Sequence, residues 1–497
     1  MRLRRKDTAP DRAAGHDDHG DPGGSTQRVA LASPPGRWLV AVAVLGSGVA
    51  FLDGSVVNVA LPAIGRDLGG GLSMLQWVLD GYLLTLSALL LLGGALGDRY
   101  DRRTVFLAGL AVFTLASVAC GLAPTGEILI GARVVQGIGG ALLVPNSLAL
   151  IDTVIRAEDR GRAIGVWAGL SGVSSAIGPF VGGWLVDSAS WRWVFLINVP
   201  LAAAALVLTV RHVPRIRATR VRGGLDIAGA SCITLGLAGV TFAMIEAPVQ
   251  GWTPIVLLAL AIGLAAVAAF PVVEHRAEDP LVPLHLFRSA RFSGTNIVTL
   301  AVYTGLGGAL FLLSLHLQTN LGYSALEAGL AFIPFTIVMA LLSGRIGALA
   351  QRTGPRAWMT AGPMVAGAGL ALLVRVVPGA GYWGGVLPGV LVFGLGMAMT
   401  VAPLTSTVLD AVPADYVGAA SGANNAISRF AGLLAVAVLP LAVGITDPSG
   451  DSLAGGFARA MLVSAALCVI GGVVALVSLR PVRHRRTAGR GRAADGP

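Results

Sequence analysis

The sequence has very little charge for its length. Only 12% of its 497 residues are Asp, Glu, Lys or Arg, whereas 55% are hydrophobic. Globular domains carry about 25% charged residues, so a soluble surface cannot be built from this composition. The shortage of charge therefore excludes a soluble multidomain protein and indicates a helical protein that crosses a membrane many times. The 68 glycines agree, because glycine is more frequent in membrane helices than in soluble ones.

Lysine and cysteine are also scarce. Lys6 is the only lysine, and a phosphate-binding P-loop needs a lysine beside its glycine-rich turn, so such a loop is excluded. Cys120, Cys232 and Cys468 each lie alone in an apolar stretch, and this spacing predicts neither a metal site nor a disulfide. No nucleophile, metal or phosphate site is assembled, so we expect a protein that is not an enzyme and needs no cofactor.

Long apolar segments dominate what is present. A bilayer core requires about 20 apolar residues per helix, and we predict fourteen such segments. They are 38–61, 75–95, 105–122, 128–150, 164–186, 194–212, 225–247, 254–273, 292–317, 326–349, 358–378, 385–405, 420–445 and 457–479. Residues 1–37 are predicted to be a disordered cytoplasmic tail, and residues 480–497 a basic cytoplasmic tail.

The positive charges are distributed unevenly between the two sides of the predicted membrane. With the N-terminus inside, 29 Lys and Arg residues fall in the inner segments and two, Arg66 and Arg192, in the outer loops. Cytoplasmic loops carry the excess of Lys and Arg, so both termini are predicted to be cytoplasmic. The net charge of +10 thus follows from topology and requires no nucleic-acid partner. The basic tail at 480–497 is expected to meet anionic lipid.

An internal repeat divides the chain. Gly94–Arg103 after the second segment resembles Gly347–Arg356 after the tenth. Matching these copies pairs segments 1–6 with segments 9–14 and leaves segments 7 and 8 as an insert. We therefore predict a six-helix bundle at 38–212, two inserted helices at 225–273 and a second six-helix bundle at 292–479. Two bundles related by an axis along the membrane normal are one known layout of secondary transporters.

Four motifs then identify a family. They are Leu52–Pro62 in segment 1, Gly94–Arg103 after segment 2, Arg133–Gly137 in segment 4 and Gly172–Gly183 in segment 5, which is followed by Trp191–Pro200. Through these motifs the chain resembles the fourteen-helix drug:proton antiporter branch of the major facilitator superfamily over nearly all of residues 38–479.

The resemblance implies an all-α polytopic protein of the plasma membrane with the major facilitator fold. It further implies a monomer that exports amphipathic, cationic or zwitterionic compounds by alternating access, with the proton gradient as its energy source. The motif in segment 5 is typical of exporters in this superfamily and is generally missing from importers.

Three charged residues are candidates for proton coupling. Asp53 lies roughly 12 Å below the outer end of segment 1 at 1.5 Å per residue, where an ionised acid costs about 2.5–3.5 kcal/mol. We therefore expect Asp53 to face the bundle interior. The resemblance implicates Arg133, at a similar level in segment 4, in proton coupling, and we expect Asp53 and Arg133 to interact directly or through water. The alternatives are a permanent structural pair, or an arginine that serves packing alone.

Asp80 stands where the resembled branch more often has a hydroxyl or small residue. It is either a second acid for protons or cationic substrate, or an acid exposed near the headgroups. The residues expected to line the substrate cavity are Asp53, Asn58, Trp77, Tyr82, Gln136 and Asn146. Glu246, His316 and Gln318 are interpreted as interfacial.

A further set of residues is expected to control the conformational change. The set comprises Gly94, Asp98, Arg99, Arg102, Asp152, Gly178, Pro179 and Gly182. Gly94 is expected to allow close packing, and the loop arginines can pair with acids such as Asp152. The resemblance implies that such pairs latch the cytoplasmic side. The glycines of segment 5 remove side chains from one helix face, which permits close helix approach. The alternatives are arginines that only set topology and glycines that serve packing alone.

Nothing in the sequence names the substrate. One lysine against 35 arginines suggests a GC-rich genome. A dedicated exporter of an endogenous specialised metabolite therefore remains an alternative to a broad drug exporter. A proton-coupled importer and a membrane sensor without transport are the remaining alternatives.

Overall fold

The computed structural model describes residues 28–214, 224–413, 416–448 and 451–479. Within these ranges the chain is helical and contains no strand, as predicted. Fourteen helices are long and apolar enough to cross a membrane. They are helix 1 (Pro34–Leu68), helix 2 (Leu72–Arg99), helix 3 (Arg102–Gly121), helix 4 (Gly126–Val154), helix 5 (Ala157–Ser188), helix 6 (Trp193–His212), helix 7 (Ile227–Gln250), helix 8 (Pro254–Arg276), helix 9 (Ala290–Thr319), helix 10 (Ala325–Thr353), helix 11 (Pro355–Arg375), helix 12 (Tyr382–Asp410), helix 13 (Val417–Val443) and helix 14 (Ser452–Ser478).

The helices are longer than their apolar cores. Helix 1 has 35 residues and spans about 52 Å at 1.5 Å per residue, whereas the hydrocarbon core of a bilayer measures about 30 Å. Helix 1 begins and ends at identifiable caps. Ser33 accepts a hydrogen bond from Gly36 N–H at the start of helix 1, and Gly69 ends this helix in the left-handed conformation with φ 69°.

The beginning of the described chain corrects one prediction. Residues 1–27 and 480–497 lie outside the described ranges, but residues 28–33 of the predicted disordered tail are tied down. Val29 N–H donates to Val154 O at 2.8 Å, and Arg156 N–H donates to Val29 O at 3.1 Å. Leu31 N–H donates to the Asp159 carboxylate at 2.8 Å. The link between helices 4 and 5 thus provides hydrogen-bond partners that the sequence alone did not indicate.

The helices outside the inserted pair pack in two separate groups. Helices 1–6 form the N-terminal bundle, in which helix 4 packs on helices 2 and 3 and helix 1 packs on helix 5. Helices 9–14 form the C-terminal bundle, in which helix 14 packs on helices 9 and 11 and helix 12 packs on helices 10 and 11. Helix 7 packs on its partner helix 8 and touches helix 2 of one bundle and helix 13 of the other. The inserted pair therefore bridges the bundles at one edge.

The two sides of the molecule differ in the hydrogen bonds that join the two bundles. We call the side that carries the short loop Tyr100–Asp101 the near side and the opposite side the far side. Between the bundles, hydrogen bonds lie in the far half: Gln76 donates to Val436 O at 2.6 Å, and Gln318 donates to Val59 O at 3.0 Å. The far side is therefore closed.

An acid of helix 5 completes this closure. The Asp187 carboxylate accepts hydrogen bonds from Ala325 N–H at 3.2 Å and Leu326 N–H at 2.8 Å. These are the first N–H groups of helix 10, whose N-terminus has a positive partial charge. Beside this contact, Gly183 lies directly against the carbonyl of Ala325. Asp187 thus holds the far ends of the two bundles together.

Replacing Asp187 should open the far side. Asp187→Ala removes two hydrogen bonds to a charged group, each of which contributes about 1.5–3 kcal/mol, so the far-side-closed population should fall at least tenfold relative to the far-side-open one. Distances between spin labels on the far ends of helices 5 and 10 measure this population. Glu327→Ala, which removes only the capping interaction within helix 10, is the matched control. An unchanged distance distribution for Asp187→Ala would contradict this role.

Candidate functional site

A buried network of charged and polar side chains occupies the N-terminal bundle. Asp53 of helix 1 and Arg133 of helix 4 form a direct ion pair in which both side chains are fully buried. This is the interaction that the sequence predicted. Breaking a buried ion pair on one side costs about 3–5 kcal/mol, because one charge is left unpaired. The pair therefore locks helix 1 to helix 4.

Arg133 also contacts helices 2 and 6, through a hydrogen bond and through two aromatic rings. Its Nε donates to Val78 O of helix 2 at 2.9 Å. Its guanidinium carbon lies 4.4 Å from the Tyr82 ring centroid and 5.6 Å from that of Phe195. Aromatic faces attract a cation by about 0.5–2 kcal/mol. Helices 2 and 6 thus enclose the cation from both sides.

The second oxygen of Asp53 is bound by two amides. Gln136 Nε2 and Asn198 Nδ2 each donate to Oδ1 at 2.9 Å. The same Gln136 nitrogen donates to Ser117 Oγ of helix 3 at 2.7 Å. Both lone pairs of Oδ1 are therefore used, and Oδ2 has Arg133 as its hydrogen-bond partner. A proton bound to Asp53 would remove the negative charge that Arg133 pairs with and would weaken the link between helices 1 and 4.

The opposite face of helix 1 looks toward the C-terminal bundle. Phe51, Gly54 and Asn58 follow helical spacing and share this face. A side chain added at Gly54 would meet no atom within 4 Å. Asn58 O accepts from Ser314 Oγ of helix 9 at 3.3 Å, and the Phe51 ring lies under the guanidinium of Arg429 in helix 13. The network and the space between the bundles thus lie on different faces of one helix.

Asp80 is buried and isolated. Its side chain is fully buried, and neither carboxylate oxygen has a hydrogen-bond partner in the described part of the chain. Gln76, one turn away, contacts helix 13, and Leu84, one turn further along, packs with Leu237 and Leu433. Asp80 lies on this side of helix 2, where an ionised carboxylate without donors is costly. The alternative of an acid exposed near the headgroups is therefore wrong.

Helix 5 carries two stripes of small residues. Gly178 and Gly182 face helix 1, where an added Cβ would collide with Ser55 or Val56. The second stripe faces helix 10 and consists of Gly165, Gly169, Gly172, Ala176, Pro179 and Gly183. Its far half is in contact, because Ala176 O accepts from Thr336 and Pro179 O lies against Gly329. Its near half is open, because a side chain added at Gly165, Gly169 or Gly172 would meet no atom within 4 Å.

The loop between helices 2 and 3 is connected to helix 4. Arg102 pairs with Asp98 at 2.6 Å and donates to Ala149 O at 2.9 Å and to Thr153. Asp152 was expected to pair with the loop arginines, but in this structure it pairs with Arg160 of helix 5 at 3.0 Å. In this conformation the charged groups hold the near ends of helices 2, 3, 4 and 5 together within one bundle.

Comparison with known proteins identifies the family. Residues 43–436 match the model of the Major Facilitator Superfamily. The chain belongs to the Major Facilitator Superfamily. A crystal structure of the peptide transporter POT in complex with sulfate has the same fold, with a TM-score of 0.66 at 14% identity over 91% of this chain and 96% of that one.

Among its sequence relatives, this superfamily member is 37% identical to the methylenomycin A resistance protein of Streptomyces coelicolor over 82% of this chain and 86% of that one. It is 35% identical to the tetracenomycin C resistance and export protein of Streptomyces glaucescens, over 85% and 78% of the two chains. It is also 35% identical to the multidrug resistance protein Stp of Mycobacterium tuberculosis, over 80% and 73%. The fourteen-helix drug exporter type expected from the motifs fits these relatives.

Several residues expected to line the cavity of this transporter lie elsewhere. Gln136 and Tyr82 belong to the buried network. Asn146 is buried between helices 2 and 4, where it donates to Gly93 O at 2.9 Å. Trp77 donates to Glu246 of helix 7 at 2.8 Å. Asn58 alone among the predicted cavity residues lies on the face of helix 1 that looks toward the other bundle.

The close approach of helices 2 and 4 depends on different glycines from the one predicted. Pro145 lies at an ordinary contact distance of 3.6 Å from a Cβ added at Gly94. A Cβ at Gly93 or Gly97 would instead collide with Ala141 O or Asn146. Asn198 and Asp187 were not among the predicted site residues. Asn198 follows the point at which helix 6 is interrupted, at Ile197, and a single amide there was the available signal.

A double variant should show whether Asp53 and Arg133 stabilise the protein as a coupled pair. Asp53→Asn and Arg133→Gln each leave one buried charge unpaired and should each lower stability by about 3–5 kcal/mol. The double variant removes both charges and should lose less than either single one. Thermal unfolding of the purified protein in detergent measures this, with exposed Arg375→Gln as the control. Additive losses in the double variant would contradict a coupled pair.

Replacing a glycine by a larger residue should have different effects in the two stripes of helix 5. Gly178→Leu forces side-chain atoms into helix 1 and should lower stability by about 1–3 kcal/mol. Gly169→Leu enters open space and should leave stability unchanged, but it should prevent the near halves of helices 5 and 10 from meeting. Thermal unfolding and spin-label distances between the near ends of these helices test both statements. If the near side closed in Gly169→Leu to the same extent as in the unchanged protein, the assignment of this stripe as the face that meets helix 10 would be refuted.

Proposed function

We propose that this transporter exports amphipathic, cationic or zwitterionic drugs or antibiotics across the plasma membrane in exchange for protons. Both termini would then be cytoplasmic, as the excess of arginine on the near side predicts. The near half is open between helices 5 and 10, so the described conformation would load cargo from the cytoplasm or the inner leaflet. The resistance and export roles in the names of the relatives support export.

The observation that carries the proposal is the fully buried Asp53–Arg133 pair beside the space between the bundles. A proton bound to Asp53 would neutralise the carboxylate and free Arg133 from its ion pair. Coupling requires that proton and cargo stabilise different conformations. Because Asp53 faces away from that space, we propose that it acts through helix 1 and not by direct competition with cargo for one carboxylate.

Asp80 is proposed as a second acid for protons or for the positive group of the cargo. Its burial without a donor leaves a protonated carboxyl as the less costly form when no cation is present. A cationic cargo that enters from the near side could supply the missing counter-charge. Proton loss from Asp80 would then accompany cargo binding, which is the exchange that an antiporter requires.

A dedicated exporter of one endogenous metabolite is the second candidate. The name of the tetracenomycin C resistance and export protein favours it, because that relative combines resistance and export of a single named compound. The two candidates share the same mechanism and differ in the number of compounds that drive transport.

Proton release from energised, everted membrane vesicles tests the proposal. Adding a panel of cationic dyes and antibiotics should release protons from vesicles that contain the unchanged protein. The double variant Asp53→Asn with Arg133→Gln keeps no buried unpaired charge and should lose this release at equal protein levels. Release that persists in the double variant would remove Asp53 from coupling. Response to one compound alone would favour the dedicated exporter, and response to several the broad one.

A further inference from the structure

Arg429 crosses the space between the two bundles. It lies at the middle of helix 13, and its guanidinium carbon is 5.0 Å from the ring centroid of Phe51, which lies at the middle of helix 1. The side chain is half-buried, and it therefore retains access to the space between the bundles. A permanent cation is thus presented at mid-membrane, where the two bundles face each other.

The surroundings of Arg429 are aromatic. The Phe51 ring meets the Trp167 ring edge-on, with centroids 6.5 Å apart, and Trp167 is held by a 2.7 Å hydrogen bond to Ser47. Helices 1, 5 and 13 thus contribute to an amphipathic wall with one positive group. Flat, apolar compounds fit such a wall by stacking on the rings.

No carboxylate neutralises this cation in the described ranges. The ion pairs there join Asp98 with Arg102, Asp53 with Arg133, Asp152 with Arg160, and Asp67 with Arg192. The Asp53 carboxylate already has its own cation and two amide donors, and it faces the other side of helix 1. Cation–π contact with Phe51 is therefore the interaction that holds the guanidinium in place.

A lone cation at this depth requires an explanation. A central arginine costs about 2.5–3.5 kcal/mol on insertion scales, and such residues mark substrate pathways when they face a cavity. Stacking on one ring returns only about 0.5–2 kcal/mol and uses none of the five guanidinium N–H donors. The planar fork of these donors matches a carboxylate, which it binds through two parallel hydrogen bonds.

We propose that Arg429 binds a carboxylate of the cargo while the aromatic body of the cargo stacks on Phe51 and Trp167. This inference rests on the proposed function, since it takes the space between the bundles as the cargo site, and it narrows the substrate class. Because Asp80 is proposed to take a positive group of the cargo, a carboxylate bound at Arg429 makes the preferred cargo an amphipathic zwitterion and not a simple lipophilic cation.

A matched pair of dyes tests this assignment without a proton gradient. Rhodamine B has a free carboxylate, and its ethyl ester lacks that charge but keeps the same cationic ring system. Fluorescence anisotropy with the purified full-length protein in detergent at neutral pH gives both dissociation constants. We expect the unchanged protein to bind rhodamine B at least tenfold more tightly than the ester.

Variants of Arg429 should change this preference and little else. In Arg429→Gln the ratio of the two dissociation constants should fall to about one, mainly because rhodamine B binds more weakly. Arg429→Lys keeps the charge without the planar fork and should retain part of the preference. Arg375→Gln removes an exposed arginine at the end of helix 11 and should keep the full preference.

Other outcomes would overturn the proposal. Equal affinity of the unchanged protein for the two dyes, including no binding of either, refutes a carboxylate site. If Arg429→Gln weakened the binding of both dyes equally, Arg429 would stabilise the protein and would not bind the carboxylate of the cargo. Because binding is measured without a gradient, failure of drug-linked proton release leaves this result unaffected. Intact proton release together with an unchanged dye ratio in Arg429→Gln would refute this inference alone.

Discussion

The ion pair between Asp53 and Arg133 is the constraint on which the N-terminal bundle depends. Both charges are fully buried, and each buried charge must be matched by a partner in a medium that cannot solvate it. Gln136, Asn198 and Ser117 complete the hydrogen bonding. Satisfying one carboxylate and one guanidinium therefore fixes the positions of helices 1, 2, 3, 4 and 6 relative to one another. The network thus resists rearrangement of these five helices.

Movement between the bundles depends on a different kind of contact. The far half is closed by Asp187 at the N-terminus of helix 10, by small residues of helix 5 and by an apolar core that joins helices of both bundles. The stripe on helix 5 continues into the near half with glycines that touch nothing. One continuous smooth face that is in contact at one end and free at the other suits a pivot about the middle of the helices.

The sequence predicts the helices and the ion pair, but not which face of each helix meets which neighbour. Length and hydropathy are enough to locate fourteen spans, and depth along helices 1 and 4 places Asp53 near Arg133. A span that is apolar all round has no polar stripe to indicate its orientation. Gln136, Asn146 and Trp77 were therefore expected in the cavity, although the structure uses them for packing and hydrogen bonding. The sequence likewise does not show that Gly93 and Gly97 approach helix 4 more closely than Gly94.

Helix 1 is the element that both charged sites share. One face presents Asp53 to the buried network, and the other presents Phe51 to Arg429 of the opposite bundle. An event at either face can favour a conformation only if that conformation differs in its contacts with the proton or the cargo. In the proposed exchange, protonation would change the contacts of helix 1 inside its own bundle, and cargo bound at Arg429 would change its contacts across the interface. A rigid helix with a titratable group on one side and an inter-bundle contact on the other would therefore link proton and cargo without requiring them to compete for the same atoms.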